Sequence, residues 1–364
     1  MLASASRFEN LLSVHLTFRR YQLKMAHSWK IASRLGPGGG SGSDTFEVAL
    51  VQLRDSDGTP GLGEAAPSNR YAEDVDSCVA FLAGVDSSRL SFSDVPASMA
   101  YLDSLSPGDF APKCALNIAL LDGAARRAGK RVCDLLGLGF DEGVHVTSYS
   151  IGIDSPGVIR GKVLAAENYP VLKLKVGVPG DRENLRALRD AAPTKRVRVD
   201  ANEGWASKEE ALRNLEWLAT DGHIEFCEQP LHSSFPASDF KWLKARTPVP
   251  IMADESYLSA KDAALCAECF HSVNVKLVKT AGITGAHHAL LAARKAGLKT
   301  MIGCMIETSV LITAAAHLAE LTDHLDIDGN LLTTNDPFHG ATAEKGVISL
   351  AGAPEQLGLC VREA

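Results

Sequence analysis

The sequence lacks any uninterrupted apolar run that approaches the ~20 residues of a membrane span. Its longest candidate, 310–319, is interrupted by Thr313 and His317 and predicts a buried helix. The first residues, MLASASRFENLL, show no basic region followed by a long apolar run. We therefore predict no secretory signal. Residues 1 to about 12 are expected to be a tail or a mis-called start, and we assign them no function.

The chain also lacks a long basic run, and 44 acidic residues outnumber 37 lysines and arginines, for a formal charge of −7. A nucleic-acid-binding surface is therefore not expected. A hydrophobic fraction of 46% and a charged fraction of 22% exclude a disordered or collagen-like chain. With 364 residues, the chain has room for two or three domains, or for one α/β barrel with an added module.

No pattern of cysteines marks a disulfide framework or a zinc site. The eight cysteines are scattered through apolar segments, which indicates reduced, buried thiols and predicts a cytoplasmic protein. Cys266 and Cys269 form a CxxC, but it lies in a helix-like run without a second pair, so we interpret it as a helix face. His287 and His288 are adjacent in a predicted helix and point in different directions.

The first third of the chain has mixed character. Residues 14–24 and 45–54 alternate and contain β-branched residues, which predicts two strands. The glycine-rich stretch 36–44 between them predicts a mobile loop, and it is no phosphate-binding loop because no Gly-Lys-Ser/Thr follows. Three helix-like segments come next: 72–84, 95–105 and 112–136.

From residue 144 onward, short apolar strands alternate with longer amphipathic helices. The predicted strands are 144–151, 171–176, 196–200, 224–228, 250–254, 273–276, 299–303 and 324–327. Strict alternation implies a parallel sheet, and this many units favours a closed (β/α) barrel. The alternative is an open doubly wound sheet, which the lack of a GxGxxG after the first strand weakens.

Charged residues end five successive predicted strands of this barrel. In chain order they are Lys173 and Lys175, Asp200, Glu228, Asp254 and Lys276. From Lys175 on, they are separated by 22 to 28 residues, about one βα unit each. They should therefore converge on one mouth of a barrel, where barrel enzymes place their chemistry. A single charged residue at this position would be a solvated strand end. Burying several charged side chains together costs free energy unless they pair with one another or bind a metal.

Three of these residues form a candidate metal site. Asp200, Glu228 and Asp254 supply oxygen ligands from adjacent strands, the set that suits Mg²⁺, and we expect one Mg²⁺ per chain. The alternative is a ring of salt bridges between these acids and the lysines.

The lysines flank the acids in chain order, so Lys175 and Lys276 are expected on opposite sides of a ligand held over the metal. Strand alternation places Lys173 on the same side as Lys175. A divalent ion and a neighbouring ammonium both disfavour a protonated lysine, so one amine is expected to act as a base. Two bases on opposite faces, with a metal that stabilises an enediolate, would move a proton next to a carboxylate from one face to the other.

The charged residues belong to longer motifs, and one further motif lies in the first third of the chain: KLK (173–175), DANEGW (200–205), EQP (228–230), ADES (253–256), NVKLVKTAGIT (274–284) and GLGEAAP (61–67). Taken together, these motifs resemble the enolase superfamily, muconate-lactonizing subgroup. The resemblance implies an α/β fold: a modified (β/α)₇β TIM-type barrel with an N-terminal α+β capping domain. It also implies that the three acids bind Mg²⁺, that Lys175 and Lys276 are the catalytic pair, and that Lys173 assists them.

The resemblance implies a division of the chain as well. We predict a capping domain over 13–136 with a specificity lid at about 27–44, a barrel over 137–335, and a segment over 336–364 that completes the capping domain.

Two further segments resemble the dipeptide epimerases of this subgroup. One is GCMIETS (303–309), which contains Glu307, and the other is DIDGN, which contains Asp326 and Asp328. The resemblance implies that these residues contact the substrate and that the two aspartates hold its α-ammonium, since two carboxylates suit one compact cation. The alternative for the aspartates is a turn leading into Gly329.

In the predicted lid, Trp29 and Arg34 fall about where L-Ala-D/L-Glu epimerases carry an aromatic residue and an arginine for the glutamate carboxylate. An arginine suits bidentate capture of a carboxylate. The alternative is an arginine that is merely solvated on a mobile loop.

The sequence thus predicts a Mg²⁺-dependent isomerase that inverts the C-terminal residue of a dipeptide, L-Ala-D/L-Glu first, in the recycling of peptidoglycan peptides. Ala-Ala and hydrophobic dipeptides are alternative substrates. The o-succinylbenzoate synthase, N-acylamino acid racemase and cycloisomerase activities are also alternatives, and they would not need Asp326 and Asp328. Rivals of other classes are a Schiff-base lyase and a barrel that only binds ligands. A homo-oligomer is left open.

Overall fold

The computed structural model describes residues 14–35 and 42–364. Within these ranges, no helix is both long and apolar enough to cross a membrane. The predicted tail, 1–12, and most of the predicted glycine-rich loop lie outside the described residues.

Three antiparallel strands form the N-terminal sheet, in the order β1-β2-β3. Their bounds are β1 His15–Trp29, β2 Ser43–Arg54 and β3 Pro60–Ala65. The two strands predicted for this region are confirmed, but β1 continues to Trp29 instead of ending near residue 24. The extension forms because Met25 bridges Thr333 and Trp29 pairs with Ser43, partners that the local sequence does not reveal.

Five α-helices belong to the described residues of this part of the chain. They are α1 Ala32–Leu35, α2 Val75–Ala83, α3 Val95–Leu105, α4 Phe110–Arg127 and α5 Val132–Leu135. Of these, α2 and α4 pack on the sheet. A Cβ added at Gly61 or Gly63 of β3 would lie 2.1 Å from Ala119 O or 1.9 Å from Ala115 O of α4. The glycines of the GLGEAAP segment are therefore what allows β3 to approach this helix.

The single helix predicted over 112–136 is two helices, α4 and α5. The chain turns between them at Gly129, whose φ of 64° is a left-handed conformation that glycine adopts at little cost. The apolar periodicity continues across the break, so the pattern alone does not reveal it.

Eight parallel strands form the barrel. They are β4 Tyr149–Ile151, β5 Val171–Lys175, β6 Arg196–Asp200, β7 Ile224–Glu228, β8 Ile251–Ala253, β9 Ser272–Lys276, β10 Lys299–Gly303 and β11 His324–Asp326. Each pairs with its neighbour in chain order. The first strand is shorter than predicted, because Val146 and Thr147 pair with the C-terminal segment at Val347 and Gly346.

The barrel closes between its first and last strands. Thr147 bridges Leu325 in parallel, and the Ser148 N–H donates to Leu325 O at 3.1 Å. The predicted TIM-type barrel with an N-terminal α+β domain is confirmed, and the open-sheet alternative is wrong. In a closed ring of eight strands, β5 and β9 are four strands apart and lie opposite each other.

Seven helices follow the barrel strands on the outside. They are α6 Pro156–Ala165, α7 Asp181–Ala191, α8 Lys208–Ala219, α9 Ala237–Lys244, α10 Ala263–Cys269, α11 Ile283–Lys295 and α12 Ser309–Ala316. All residues of α12 are buried, as predicted for this segment. Cys266 and Cys269 are buried free thiols of α10, which confirms that the CxxC is a helix face.

Short 3-10 helices and a C-terminal segment complete the chain. The 3-10 helices are Asn69–Tyr71, Ser87–Arg89, Ala260–Asp262, Leu277–Thr280, Ala319–Leu321 and Gly329–Leu332. The last strands are β12 Phe338–His339, β13 Thr342–Glu344, β14 Val347–Ser349 and β15 Arg362–Glu363. Near the end of the chain, the Leu359 N–H donates to Asp122 of α4 at 2.8 Å. The exact domain boundaries stay predictions.

The N-terminal sheet is anchored at the mouth of the barrel. The carboxylate of Glu64 on β3 is fully buried and accepts hydrogen bonds from the N–H and the hydroxyl of Thr308, at 2.9 and 2.6 Å. Thr308 immediately precedes α12, at the end of the loop that follows β10. Because this is the end at which the barrel strands finish, the N-terminal domain covers the mouth where the predicted site residues lie.

Candidate active site

A cavity of about 870 Å³ lies between the N-terminal domain and the carboxyl ends of the barrel strands. The N-terminal side of its wall includes Gln22, Trp29 and Tyr71, and the barrel side includes Lys173, Lys175, Lys276, Asp326 and Asp328. Mouths of this kind are where barrel enzymes bind their substrates.

The three predicted metal ligands lie beneath this cavity on neighbouring strands. Asp200 and Glu228 are paired residues at the ends of β6 and β7, and Asp254 follows β8 directly. All three are fully buried. Burial and the nearby charge of Asp200 raise the pKa of Glu228 to about 7. For Asp200, burial opposes ionisation, but Lys175 and Lys173 hold its pKa below the usual value.

Lys173 connects these acids to the other side of the barrel. Its ammonium lies 3.1 Å from Asp200, 2.7 Å from Glu228 and 2.6 Å from Asp326. The side chain is 2% exposed. Burial opposes its charge, but Asp326, Glu228 and Asp200 raise the pKa of Lys173 well above its ordinary value. Lys173 is therefore a charged bridge within the site.

Lys175 and Lys276 end β5 and β9, the two strands that lie opposite each other in the ring. Lys175 donates to Asp200 at 2.6 Å, and Lys276 donates to Asp254 at 2.9 Å. Burial opposes the charge of Lys276, but Asp254 and Tyr71 raise its pKa well above the ordinary value. In the protein alone, the surroundings of Lys276 thus favour its charged form, and a neutral amine that acts as a base stays a prediction.

Lys279 is a fourth lysine of the cluster, and the sequence analysis missed it. It is fully enclosed and donates to Asp254 Oδ1 at 2.6 Å, Asp254 O at 2.7 Å and Asn274 O at 3.1 Å. Burial opposes ionisation of Asp254, but Lys276 and Lys279 lower its pKa well below the usual range. The signal for Lys279 is its spacing of three residues after Lys276, which one turn of 3-10 helix returns to the same side.

Asp326 and Asp328 lie on the wall of the cavity beside β4. Asp326 accepts from the Ser148 hydroxyl at 2.6 Å, and Asp328 accepts from the Ser150 N–H at 2.6 Å. Burial opposes ionisation of Asp326, but Lys173 lowers its pKa to about 2. Burial and the charge of Asp326 raise the pKa of Asp328 to about 7. The pair therefore favours a second positive charge next to Asp328.

Of the other predicted substrate contacts, Trp29 lies in the cavity and Glu307 does not form its wall. The Trp29 ring centroid is 5.9 Å from the ammonium of Lys175. Glu307 is 3% exposed and accepts from the Met305 N–H at 2.6 Å, so it braces the loop after β10. Burial raises its pKa to about 7. Arg34 belongs to α1, but its side chain lies outside the described residues.

A clasp between the two domains closes the side of the cavity near Lys276. Arg70 donates twice to Glu203, at 2.8 Å each, and Glu203 also accepts from the Ser233 N–H at 2.7 Å. The clasp fixes the 3-10 helix that carries Tyr71. Neither Arg70 nor Tyr71 belongs to a sequence motif or a periodic segment, since both lie between GLGEAAP (61–67) and the predicted helix 72–84.

The contacts of the three acids bear on whether they can hold a metal. Among the described residues, no group of three acidic, histidine or cysteine side chains is arranged around one point at metal-binding geometry. The acids instead contact lysines, as in the alternative of a salt-bridge ring. Yet Glu228 Oε2 is buried and makes no hydrogen bond, although it forms an ion pair with the ammonium of Lys173, 2.7 Å away. A buried carboxylate oxygen with unused hydrogen-bond capacity, among three buried acids, fits a hard divalent cation such as Mg²⁺.

Comparison with known proteins identifies the family. A sequence model described as Enolase C-terminal domain-like matches residues 160–361. The L-Ala-D/L-amino acid epimerase of Pedosphaera parvula (strain Ellin514) is 62% identical over 96% of this chain and 99% of its own. The L-Ala-D/L-Glu epimerase of Bacteroides thetaiotaomicron is 35% identical over 93% of this chain and 86% of its own.

Solved structures agree with this assignment. The crystal structure of the dipeptide epimerase of Cytophaga hutchinsonii, complexed with Mg and the dipeptide D-Ala-L-Val, superposes with a TM-score of 0.87 at 27% identity. It covers 97% of this chain and 96% of that one. The chain therefore belongs to the enolase superfamily and, within it, to the dipeptide epimerases, a family of isomerases.

Proposed function

We propose that this protein is a Mg²⁺-dependent epimerase that inverts the C-terminal residue of a small dipeptide. The observation that carries the proposal is the placement of Lys175 and Lys276 on strands four apart in an eight-stranded barrel, at one cavity. Inversion of a carbon requires that a proton leave one face and return to the other, and two amines on opposite sides meet that requirement.

The remaining residues divide the work of binding. Asp326 and Asp328 would hold the α-ammonium of the dipeptide, since they share one edge of the cavity and, among the described residues, no ion pair joins Asp328 to a lysine. Lys173 would orient the substrate carboxylate from the floor of the site. Asp200, Glu228 and Asp254 would hold one Mg²⁺, which supplies stabilisation of the negative charge that develops on the substrate carboxylate.

For the substrate, we propose L-Ala-D/L-Glu first, with Trp29 over the reacting residue and Arg34 of the lid as partner of the glutamate side chain. A cytoplasmic role in the recycling of peptidoglycan peptides is part of the same proposal.

A second candidate is an epimerase that accepts many residues after L-alanine. The relative at 62% identity, which spans nearly the whole chain, is named an L-Ala-D/L-amino acid epimerase. In addition, the wall formed by β1 and β2 presents Gln22, Thr45 and Glu47 to the cavity. Polar uncharged and acidic groups there do not favour a glutamate side chain over neutral ones.

The test is proton NMR in D₂O with Mg²⁺, following the α-proton of the C-terminal residue in L-Ala-L-Glu, L-Ala-L-Ala, L-Ala-L-Leu and N-acetyl-L-Glu. We expect loss of the α-proton signal together with inversion for L-Ala-L-Glu. Equal rates for the three dipeptides would support the broad alternative. Exchange in N-acetyl-L-Glu alone, or in no compound, would refute the dipeptide proposal.

A further inference from the structure

The side-chain amide of Gln229 is enclosed between the loops that follow β7 and β8. Its oxygen accepts from the Asp254 N–H at 2.9 Å and the Ser256 N–H at 3.2 Å. Its nitrogen donates to Leu231 O at 2.8 Å and to the Ser256 hydroxyl at 2.9 Å. The residue is 0% exposed. A glutamine has two donor hydrogens and one oxygen with two lone pairs, so its capacity for hydrogen bonds is fully used.

The main chain of Gln229 reaches the loop after β6 as well. Its carbonyl accepts from the Glu203 N–H at 2.9 Å, and its N–H donates to Met252 O at 2.9 Å. The backbone is left-handed at Gln229, with φ of 34°, and also at Asn202 and Glu203, with φ of 42° and 66°. Residues with a Cβ persist in this conformation only where their surroundings fix them.

These three loops carry the three acids. Asp200, Glu228 and Asp254 end or directly follow β6, β7 and β8, and Gln229 is bonded to the loop of each. We propose that Gln229 is a positioning residue that fixes the spacing of the three carboxylates and so sets the affinity of the site for a divalent cation. The proposal rests on the metal site of the proposed function. Gln229 acts through the backbone of Asp254, not by contact with substrate.

The direct test is Gln229→Met, which keeps the length of the side chain and removes all four of its hydrogen bonds. We expect the affinity for Mg²⁺, measured by isothermal titration calorimetry without substrate, to fall by about tenfold or more, as for other residues that support metal ligands. Ser256→Ala removes only one of the four bonds, so it should lower the affinity less and fold even if Gln229→Met does not.

The matched control is Thr300→Val, near the opposite end of the barrel, where the buried Thr300 hydroxyl donates to Leu321 O at 2.8 Å. It should lower the melting temperature and leave the affinity for Mg²⁺ unchanged. If Gln229→Met folds and binds Mg²⁺ with wild-type affinity, the inference is overturned and the metal site is left intact. If Gln229→Met does not fold, wild-type affinity of Ser256→Ala has the same consequence. Wild-type protein that binds no Mg²⁺ would overturn the metal site itself and this inference with it.

Discussion

The ammonium of Lys173 lies 2.6 Å from the carboxylate of Asp326, across the interior of the barrel from β5 to β11. The same ammonium contacts Asp200 and Glu228, so one side chain joins the proposed metal ligands to the proposed site of the substrate ammonium. Asp326 is already paired in this way, whereas Asp328 forms no ion pair with a lysine in the described part of the chain.

Asp328→Asn should therefore weaken substrate binding specifically. Removal of a charged hydrogen-bond acceptor costs about 1.5–3 kcal/mol, which corresponds to an increase of roughly 10- to 150-fold in KM for a free dipeptide. Ser150→Ala is the control, since it removes a partner of Asp328 without removing the charge. Steady-state kinetics on L-Ala-L-Glu would check this. An unchanged KM for Asp328→Asn would show that the aspartates form a structural turn.

Arg70→Met should release the clasp beside the cavity. Glu203 would remain buried without its guanidinium partner, which costs about 1–3 kcal/mol, and Tyr71 would lose its support. We expect a lower free energy of unfolding and a higher KM. The matched control is Arg127→Met, because Arg127 contacts the buried Asp55 at 2.8 Å with a similar exposed fraction but away from the cavity.

Urea unfolding and dipeptide kinetics on both variants separate the two effects. Arg127→Met should lower stability alone. If both variants raise KM equally, the clasp has no special part in shaping the site.

His317 should make stability fall as the pH is lowered. Burial lowers its pKa from 6.5 to about 4. It is held as a neutral ring, since the Cys133 N–H donates to Nδ1 at 3.2 Å and Nε2 lies 3.2 Å from Leu359 O. The unfolded chain takes up this proton below about pH 6.5, so the stabilisation is complete above that pH and declines by about 1.4 kcal/mol per pH unit down to about pH 4.

His317→Gln isolates this effect from other titrating groups. The variant lacks the titration, so the difference in unfolding free energy between wild type and variant should shrink by about 2–3 kcal/mol from pH 7 to pH 4.5. Urea unfolding at both pH values measures it. A difference that does not change with pH would mean that His317 is not held neutral.

Much of the barrel could be predicted from the sequence because its two signals are local. Apolar strands alternate with amphipathic helices, and an acid or a lysine ends successive strands at nearly constant spacing. A parallel barrel brings such residues together at one end, independently of the conformation of its loops. The extension of β1 to Trp29 could not be predicted, since it depends on Thr333, far away in the chain.

The supporting residues of the site were harder to predict. Lys279 follows β9 in a 3-10 turn, so its direction depends on a local geometry that periodicity does not specify. Gln229 has no chemistry of its own, and its importance arises from loops that meet only in the folded protein. Glu307 is within the predicted segment, yet its carboxylate turns back to its own loop.

The most direct test of the two-base account is to measure α-proton exchange in D₂O for Lys175→Ala and Lys276→Ala, each with the L,L and the L,D epimer of Ala-Glu and with Mg²⁺ present. Because the two amines lie on opposite sides of the cavity, each variant should exchange the α-proton of one epimer only. Lys175→Ala and Lys276→Ala should act on different epimers, and neither variant should convert one epimer into the other. Exchange of both epimers by either single variant would contradict the account.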